Sequence, residues 1–449
     1  MFLRVRRALT AGLIVMCPCG AWAQQTGLPP AGTTTVDELV ARALTANRPL
    51  KIATLQAAKA QHDLDAGRTR QFVNFDLQLF EGHLNALAFT FQPGAFGTFP
   101  ATGPVPPAET KVTNPAAFST YFSVQASQPL VQLRRVHLGV RQLAAEHTVM
   151  EERRRAMEQT IVSNVRRLYY GILETQSAIA ASDAGVALAR ERQRIAGEQV
   201  AARAMYDADL AAARADAAAK EQAGLTLRNR LATLRQQMGI LVGADLDPGL
   251  VFAPAAAPPD GTLDVAAATA AALADRPDIR EARLKVRQAE DAVRSKRAEY
   301  LPDVSFVARF IGMQNVGILP TNVTAVGIYG TWEPFDWGRK RAEIAANTQV
   351  HSQAALALEE AQAQARLDVD TRYRQVMEAK ALVPVAELAR TAAAERLRLA
   401  RTRFEAKAVL QSDVLEAEAA MADAEREYQR ARSAWLAADA ELQRALGKR

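Results

Sequence analysis

The sequence predicts a mainly α-helical chain with a smaller β part, and three observations support this fold class. Arg48-Pro49 and Arg276-Pro277 each introduce a helical stretch that is followed by a strand pattern, so the chain contains an internal repeat. Apolar residues recur every seven positions over about five heptads in each half, which is typical of long packed helices. Aromatic residues are concentrated, since 17 of the 27 lie within 72–122 and 300–337. We therefore expect duplicated long helical hairpins plus four strands per protomer.

The N-terminus has the pattern of a secretory signal peptide. Arg4, Arg6 and Arg7 precede an apolar run, and Ala21-Trp22-Ala23 has the small-x-small form of a cleavage site. We therefore expect residues 1–23 to be removed on export.

Both cysteines of the chain, Cys17 and Cys19, lie within this expected signal peptide. We therefore expect neither a disulfide nor a thiolate metal site in the mature chain. Met16 precedes Cys17, where a lipidation signal requires a small residue, which disfavours lipidation of Cys17 without excluding it.

The composition excludes two classes of protein. Hydrophobic residues make up 49% of the chain and charged residues 23%, and the mean hydropathy is -0.11. These values exclude both a polytopic helical membrane protein and a disordered chain. Half of the formal net charge of +6 comes from the three signal-peptide arginines, so the mature chain has no basic excess that indicates nucleic acid. No stretch of 18 apolar residues follows Ala23, so we expect no transmembrane helix.

The elements follow in the same order in both repeats. Pro49 stands at a first-turn position and begins a helix that runs to about Arg70. We predict a first repeat at 24–244, a Pro-rich linker at 245–261 and a second repeat at 262–449. The predicted strands lie at about 72–91, 118–128, 301–313 and 323–335, and the predicted long helices at about 133–202, 209–242, 339–404 and 411–446. A Pro/Gly-rich insertion at about 95–117 is predicted to be an extra loop of the first repeat.

The heptad positions of the two longest helices match at a constant offset of 204 residues. The matching pairs include Val165 with Val369, Ile172 with Val376, and Ile179 with Val383. A seam of this kind predicts coiled-coil packing. Pro384 lies inside the second of these helices and is expected to kink it or to mark a weak point.

The predicted strands alternate apolar and polar residues. Such alternation fits a membrane barrel with a wet lumen, and it equally fits a soluble sheet with one buried face. Four strands cannot close a barrel, and long helices with a continuous seam need partners. Three copies would supply twelve strands and a hollow helical bundle, which predicts a trimeric 12-stranded barrel above an α-helical tunnel. The candidate lipid-facing residues are Phe75, Leu77, Phe122, Val124, Phe306 and Trp332.

Several motifs resemble those of the TolC-like outer membrane factors, over almost the whole mature chain. They are Gln128-Pro129-Leu130, Leu301-Pro302-Asp303-Val304-Ser305, Pro334-Phe335-Asp336-Trp337-Gly338-Arg339 and Asp413-Val414-Leu415-Glu416-Ala417-Glu418. The resemblance implies a homotrimer in the cell outer membrane that projects into the periplasm. It implies a passive exit duct, opened by contact with a periplasmic adaptor protein and an inner-membrane pump that supplies the energy.

The resemblance also implies that the tips of the helical hairpins close the tunnel and contact the adaptor. The candidate gate residues are Asp207, Asp209 and Asp413, and the candidate adaptor contacts are Arg203, Met205, Lys407 and Val409. An acidic ring would favour cations. For Asp209 and Asp413, ordinary helix capping is an equally good interpretation. The family usually has glycine at the tip, and Arg203 and Lys407 or their neighbours replace it here.

The mature sequence carries no nucleotide-binding or hydrolase motif, so no enzyme activity and no cofactor are expected. The alternative function is that of a soluble periplasmic coiled-coil adaptor or scaffold, a class that also has long helical hairpins and small β-domains. Such an adaptor is expected to have one hairpin and an inner-membrane anchor, whereas this sequence predicts two hairpins and no anchor. Neither the cargo nor the class of pump can be identified from the sequence.

Overall fold

The computed structural model describes residues 33–247, 249–254, 264–316 and 320–448. The expected signal peptide at 1–23 and residues 248 and 255–261 of the expected linker lie outside the described residues. Each half of the described chain contains a pair of short helices, a β-hairpin and a long helical hairpin.

The first half contains four helices and most of the strands. In chain order these are β1 (Thr33–Thr34), α1 (Val36–Ala46), α2 (Arg48–Thr69), β2 (Asn74–Leu84), β3 (Leu87–Phe91), β4 (Thr98–Phe99), β5 (Gly103–Pro104), β6 (Thr110–Asn114), β7 (Ala117–Pro129), α3 (Leu133–Ala201) and α4 (Asp207–Val242). The second half follows with β8 (Val251–Phe252), α5 (Val265–Asp275), α6 (Pro277–Ala298), β9 (Asp303–Gln314), β10 (Asn322–Thr331), α7 (Arg339–Glu405) and α8 (Gln411–Ala445).

The first two helices begin at specific caps. The Thr35 hydroxyl accepts from the Glu38 backbone N–H at 3.4 Å, and the Glu38 carboxylate accepts from the Thr35 N–H at 3.2 Å. This reciprocal pair satisfies two backbone donors at the start of α1. Asn47 caps α2 through the Leu50 N–H at 3.2 Å, and its amide also donates to the Leu241 carbonyl at 3.0 Å. The corner between α1 and α2 is therefore tied to the end of α4.

The main sheet has four antiparallel strands in the order β10-β9-β7-β2. The prediction of one strand at 72–91 is wrong in detail, because β2 ends at Leu84 and β3 pairs instead with β6. The extra loop predicted at about 95–117 contains strands of its own, because β4 pairs with β5, and β6 pairs with β3. The first hairpin thus extends beyond the four-stranded sheet. The alternation of side chains continues through 87–91, so the sequence does not reveal where the strand changes its partner.

The long helices pack side by side around α3. α3 contacts α4 and α8 along the hairpins, and it contacts α2 and α6 nearer the sheet. α7 packs against α8 and α6 on the other side. α3 has 69 residues and α7 has 67, so each is about 100 Å long at a rise of roughly 1.5 Å per residue. α7 is continuous through Pro384, so the proline does not end the helix.

Burial is deepest in the middle of α3. Val165 and Ile172 have no exposed surface, and Tyr169 is 1% exposed. They form one cluster with residues of α1, α4, α8 and β8, and Val369 anchors a smaller cluster with Ala272 and the end of α8. The heptad seam is therefore fully buried only in this belt, where the short helices surround the long ones.

Tyr169 holds the two-stranded sheet of the belt together. β1 and β8 pair in parallel, and the Tyr169 hydroxyl lies 2.6 Å from the Ala253 carbonyl oxygen and 3.0 Å from that of Thr34. Burial raises the pKa of Tyr169 to about 12, so the hydroxyl stays protonated and remains a donor. The residues before α1 and those after β8 are thus joined to the centre of α3.

The C-terminal end of α8 is fixed against the same belt. The Gln159 amide donates to the Gly447 carbonyl at 2.6 Å, and the Arg276 guanidinium donates to the Ala445 carbonyl at 3.1 Å and pairs with Asp368 at 2.9 Å. Gly447 has a φ of 75°, and a Cβ there would lie 3.3 Å from the backbone of Arg276. A glycine is therefore required for this close approach.

The two long hairpins turn in the same way. Arg203 and Lys407 adopt left-handed φ angles of 60° and 56°. The turn after α3 closes with a 2.8 Å bond from the Ala204 N–H to the Gln199 carbonyl, and the turn after α7 closes with an equal bond from Ala408 to Arg403. This is the Schellman arrangement, in which glycine normally occupies the left-handed position.

We predict that Tyr169→Phe loosens the belt. Loss of the hydroxyl leaves the Ala253 carbonyl without this donor, which costs about 1 kcal/mol of local stability. Hydrogen exchange of the Ala253 amide, which donates to Thr34, is expected to accelerate roughly fivefold. Tyr170→Phe is the matched control, because Tyr170 is also buried and its hydroxyl makes no hydrogen bond within the described chain. Equal exchange rates in the two variants would contradict the assigned role.

We further predict that Arg203→Gly and Lys407→Gly stabilise the hairpin tips. Glycine removes the left-handed strain of an L-residue, worth roughly 1 kcal/mol per site. The controls are Ala202→Gly and Ala406→Gly, at φ angles of -79° and -77°, where glycine is expected to destabilise by about 0.5–1 kcal/mol. Hydrogen exchange in the adjoining helical turns measures both effects. Faster exchange in the first pair would show that side-chain contacts outweigh backbone strain.

Candidate functional site

The hairpin tips bring the predicted gate and contact residues together as two equivalent groups. At the offset of 204 residues, Arg203 corresponds to Lys407, Met205 to Val409, and Asp209 to Asp413. Arg203 and Lys407 are exposed, while Met205 and Val409 are partly buried under their turns. The two tips therefore present the same arrangement of one cation, one apolar residue and one carboxylate.

Asp209 and Asp413 act as helix-capping residues in this structure. The Asp209 carboxylate accepts from the Tyr206 N–H at 3.4 Å, and the Asp413 carboxylate accepts from the Leu410 N–H at 3.0 Å. Both side chains are nevertheless exposed. The capping interpretation thus has direct geometric support, and a role in gating stays a prediction.

The predicted start of α4 at 209 is wrong by two residues. The helix begins at Asp207, and Tyr206 is the capping position. The sequence favoured an aspartate at the cap because aspartate is preferred there. Asp209 instead stands in the first turn and reaches back to the preceding backbone, which is also where the helix dipole stabilises a negative charge.

The tips also contain two apolar residues that the sequence analysis missed. Tyr206 is 82% exposed and Leu410 is 70% exposed, and they occupy equivalent positions. Each follows a partly buried apolar residue, so each tip has an apolar pair of which one member faces solvent. The signal was available in the repeat alignment, because only the alignment shows that Tyr206 and Leu410 share one position.

The strand register places the candidate lipid-facing residues on one face of the sheet. Leu77 lies opposite Val124, which lies opposite Phe310 on the next strand. Residues that are directly opposite in a ladder point to the same side. By the same register, this face also contains Phe75, Leu79, Phe122, Phe306, Val326 and Ile328. Phe75 is 75% exposed and Leu77 is 67% exposed, so the face is a continuous apolar surface.

Trp332 extends this apolar surface one residue beyond the end of β10. Its indole N–H donates to the Tyr300 carbonyl at 3.3 Å, and the side chain is 63% exposed. The indole thus joins the ends of the second β-hairpin at the level where the helices begin.

The opposite face of the sheet is polar at its centre. Asp76, Gln125 and Arg309 stand opposite one another on three adjacent strands. The Arg309 guanidinium donates to the Gln125 amide oxygen at 2.8 Å. Gln78 and Ser123 form the next rung of this face. The sheet therefore separates an apolar side from a side that carries charged and hydrogen-bonding groups.

In the ranges 33–247, 249–254, 264–316 and 320–448, no helix combines the length and apolar character needed to cross a bilayer. The same residues contain no cluster of three or more histidine, cysteine, aspartate or glutamate side chains able to hold a metal ion.

Comparison with known proteins shows where this architecture occurs. Residues 269–448 match the family described as Outer membrane efflux protein. No curated protein matches the chain. Among solved structures, the chain is similar to CusC, with a TM-score of 0.70, 17% identity and 92% of each chain covered.

Two further channels have similar values. The CmeC outer membrane channel of Campylobacter jejuni gives a TM-score of 0.72 and 16% identity over 92% of this chain and 85% of that one. The outer membrane protein VceC of Vibrio cholerae gives a TM-score of 0.68 and 18% identity, and the match covers 92% of this chain and 96% of that one. At these identities the likeness shows the fold. The family match of the second repeat and the shared fold of the whole chain together confirm the resemblance to the TolC-like outer membrane factors.

Proposed function

We propose that the chain is a passive exit duct of a tripartite efflux or secretion system, spanning the outer membrane and the periplasm. The observation that carries this proposal is a sheet with one apolar and one polar face, joined directly to helical hairpins of about 100 Å. The apolar face suits lipid, the polar face suits a wet lumen, and the helices have the length to cross a wide aqueous compartment.

Trimer formation follows from the open edges of the sheet. β2 and β10 are the edge strands, and each leaves a row of backbone groups without a partner among the described residues. β2 runs away from the helices and β10 runs back toward them, so β2 of one copy would pair in antiparallel fashion with β10 of the next. Three copies would close a 12-stranded barrel, in which the polar faces line the pore.

The helices support the same assembly. Six of the nine exposed large apolar residues of α7 fall within an arc of about 80° at roughly 100° per residue. They are Leu356, Leu367, Met377, Val385, Leu388 and Leu399. The opposite edge of the helical layer is formed by α2 and α4, with Ile52, Leu55, Leu225 and Ile240 exposed. Contact between α7 of one copy and α2 and α4 of the next would bury both sets and form a helical tunnel.

The tips are the proposed contact with a periplasmic adaptor and an inner-membrane pump. Tyr206 and Leu410 present apolar surface at the ends of the hairpins, beside the cations of Arg203 and Lys407. A partner that packs on the apolar pairs would also reach the turns that hold the helices together. The duct itself requires only an opening of these tips, while the partners supply the energy.

The alternative of a soluble periplasmic scaffold accounts poorly for the sheet. A soluble sheet buries its apolar face, whereas Phe75 and Ile328 are 75% and 74% exposed on that face. An exposed apolar surface of this extent indicates a partner or a lipid phase.

We predict that the protein sediments with outer membranes, and that the two faces of the sheet respond oppositely to a charge. Leu77→Arg is expected to abolish membrane assembly, because an arginine facing lipid costs about 2–4 kcal/mol near the bilayer midplane. Gln78→Arg is the matched control on the adjacent, polar side and is expected to assemble normally. Membrane fractionation and trimer yield on mild electrophoresis measure both. Recovery of the unmodified chain in the soluble periplasm would exclude the proposed duct.

We predict that the tip carboxylates limit conductance through their charge. The double change Asp209→Asn with Asp413→Asn removes the charge and retains an oxygen that can cap the helix. It is expected to raise single-channel conductance and to weaken block by cations. The double change to alanine removes the cap as well, and separates charge from helix stability. If the asparagine variant conducts as the unmodified channel does, the aspartates are caps alone.

A further inference from the structure

Each of the four crossings between the sheet and the helices has an exposed arginine without a side-chain hydrogen bond or ion pair in the part of the chain that the structure describes. Arg70 follows α2 and Arg134 stands in the first turn of α3. Arg297 stands in the last turn of α6, and Arg341 in the first turn of α7. We name these four residues the arginine collar.

The carboxylates near these arginines already have other partners, and that of Asp336 accepts from the Gly338 N–H at 3.1 Å and the Lys340 N–H at 2.9 Å. Arg135 pairs with Asp303, Arg339 pairs with Glu333 at 2.6 Å, and Lys296 pairs with Glu343 at 3.0 Å. These carboxylates stand at the same level as the arginine collar and are occupied by other cations. The arginine collar is therefore an excess of positive charge at the junction.

Aromatic residues surround the arginine collar. Phe72 is 69% exposed, Phe335 is 68% exposed and Trp337 is 91% exposed. Trp337 also has a left-handed φ of 56°, a conformation that strains an L-residue. The Phe335 and Trp337 rings pack edge to face, with their centroids 4.8 Å apart. A strained and almost fully exposed tryptophan is poorly suited to water, whereas tryptophan is favoured at the boundary between hydrocarbon and headgroups.

We propose that the arginine collar binds the phosphate groups of anionic phospholipids in the periplasmic leaflet of the outer membrane. The apolar face of the sheet ends at this level, so lipid chains beside it would place their headgroups next to the arginine collar. Guanidinium groups bind phosphate oxygens through paired hydrogen bonds. This inference rests on the proposed function, because it requires the sheet to lie in the membrane.

The test compares anionic and zwitterionic lipid bound to the full-length trimer. Purified trimer is reconstituted in phosphatidylcholine vesicles with and without phosphatidylglycerol. Brominated analogues of each lipid report, through quenching of tryptophan fluorescence, which lipid lies next to Trp337 and Trp332. We expect the unmodified trimer to favour phosphatidylglycerol by about tenfold or more, and this preference to fall as salt rises from about 0.1 to 0.5 M.

Two sets of substitutions separate the arginine collar from charge in general. The first set is expected to abolish the preference for phosphatidylglycerol, and it combines Arg70→Gln, Arg134→Gln, Arg297→Gln and Arg341→Gln. The control set removes four exposed arginines that also make no side-chain hydrogen bond or ion pair with the described residues, but that lie on α4 and α7 away from the sheet: Arg214→Gln, Arg230→Gln, Arg366→Gln and Arg396→Gln. It changes the net charge equally and is expected to keep the preference. Replacement of the arginine collar by lysine is expected to keep most of it.

The outcomes separate the two proposals. The proposed lipid binding by the arginine collar is overturned if the two lipids quench the unmodified trimer equally. It is also overturned if the preference for phosphatidylglycerol survives the four glutamine substitutions or high salt. The salt series on the unmodified trimer decides the question even if the glutamine set does not assemble. Insertion and channel currents in phosphatidylcholine alone test the proposed duct. A trimer that conducts there without a preference for phosphatidylglycerol refutes only the arginine collar, while failure to insert in either lipid refutes the duct.

Discussion

The lateral packing of α3 is the constraint on which the rest of the chain depends. A helix of 69 residues has no core of its own, and its stability comes from what packs along it. Val165, Tyr169 and Ile172 are buried where the short helices, β8 and the ends of α4 and α8 meet. This belt holds both long hairpins at one fixed level. The sheet on one side and the tips on the other are positioned from it.

Away from the belt, the chain leaves apolar surface exposed in places that match one another. The apolar face of the sheet, the stripe on α7 and the exposed residues of α2 and α4 are each open in a single copy. A soluble monomer would be expected to cover such surfaces. Closure of a barrel and a tunnel by three copies would cover the helical stripes and leave only the outer face of the sheet, where lipid replaces protein. The proposed duct would thus complete, by assembly of three copies, the core that a single copy leaves open.

Much of the fold was predictable because its signals are periodic and long. The helix predicted at 133–202 is Leu133–Ala201 in the structure, and that predicted at 411–446 is Gln411–Ala445. Periods of seven and of two persist over many residues, so one atypical residue does not hide them. The errors lie at the boundaries of elements, which the periodicity of the sequence does not mark. β2 ends at Leu84 while the alternation continues, and α4 begins two residues before the aspartate that the sequence placed at its cap.

The candidate site was predictable only in part. The alternation of Phe75, Leu77 and Val124 followed from the sequence alone, and the register brings these residues to one face. The exposed Tyr206 and Leu410 were missed because neither is conspicuous alone, and only the alignment of the two repeats shows that they occupy one position. The role of Asp209 and Asp413 had two interpretations in the sequence. The structure supplies their backbone partners and leaves their charge in solvent.

The sequence by itself determined the repeat, the helical and strand periods and the faces that they produce, because these depend on backbone geometry within a few residues. The tertiary structure alone decided which charges are paired and which are left over, as for Arg135 and Arg134, two neighbours of which only the first reaches a carboxylate in the described chain. It also decided the role of Tyr169, whose partners Thr34 and Ala253 lie 135 and 84 residues away. Such contacts depend on how distant segments are packed together, which no local pattern specifies.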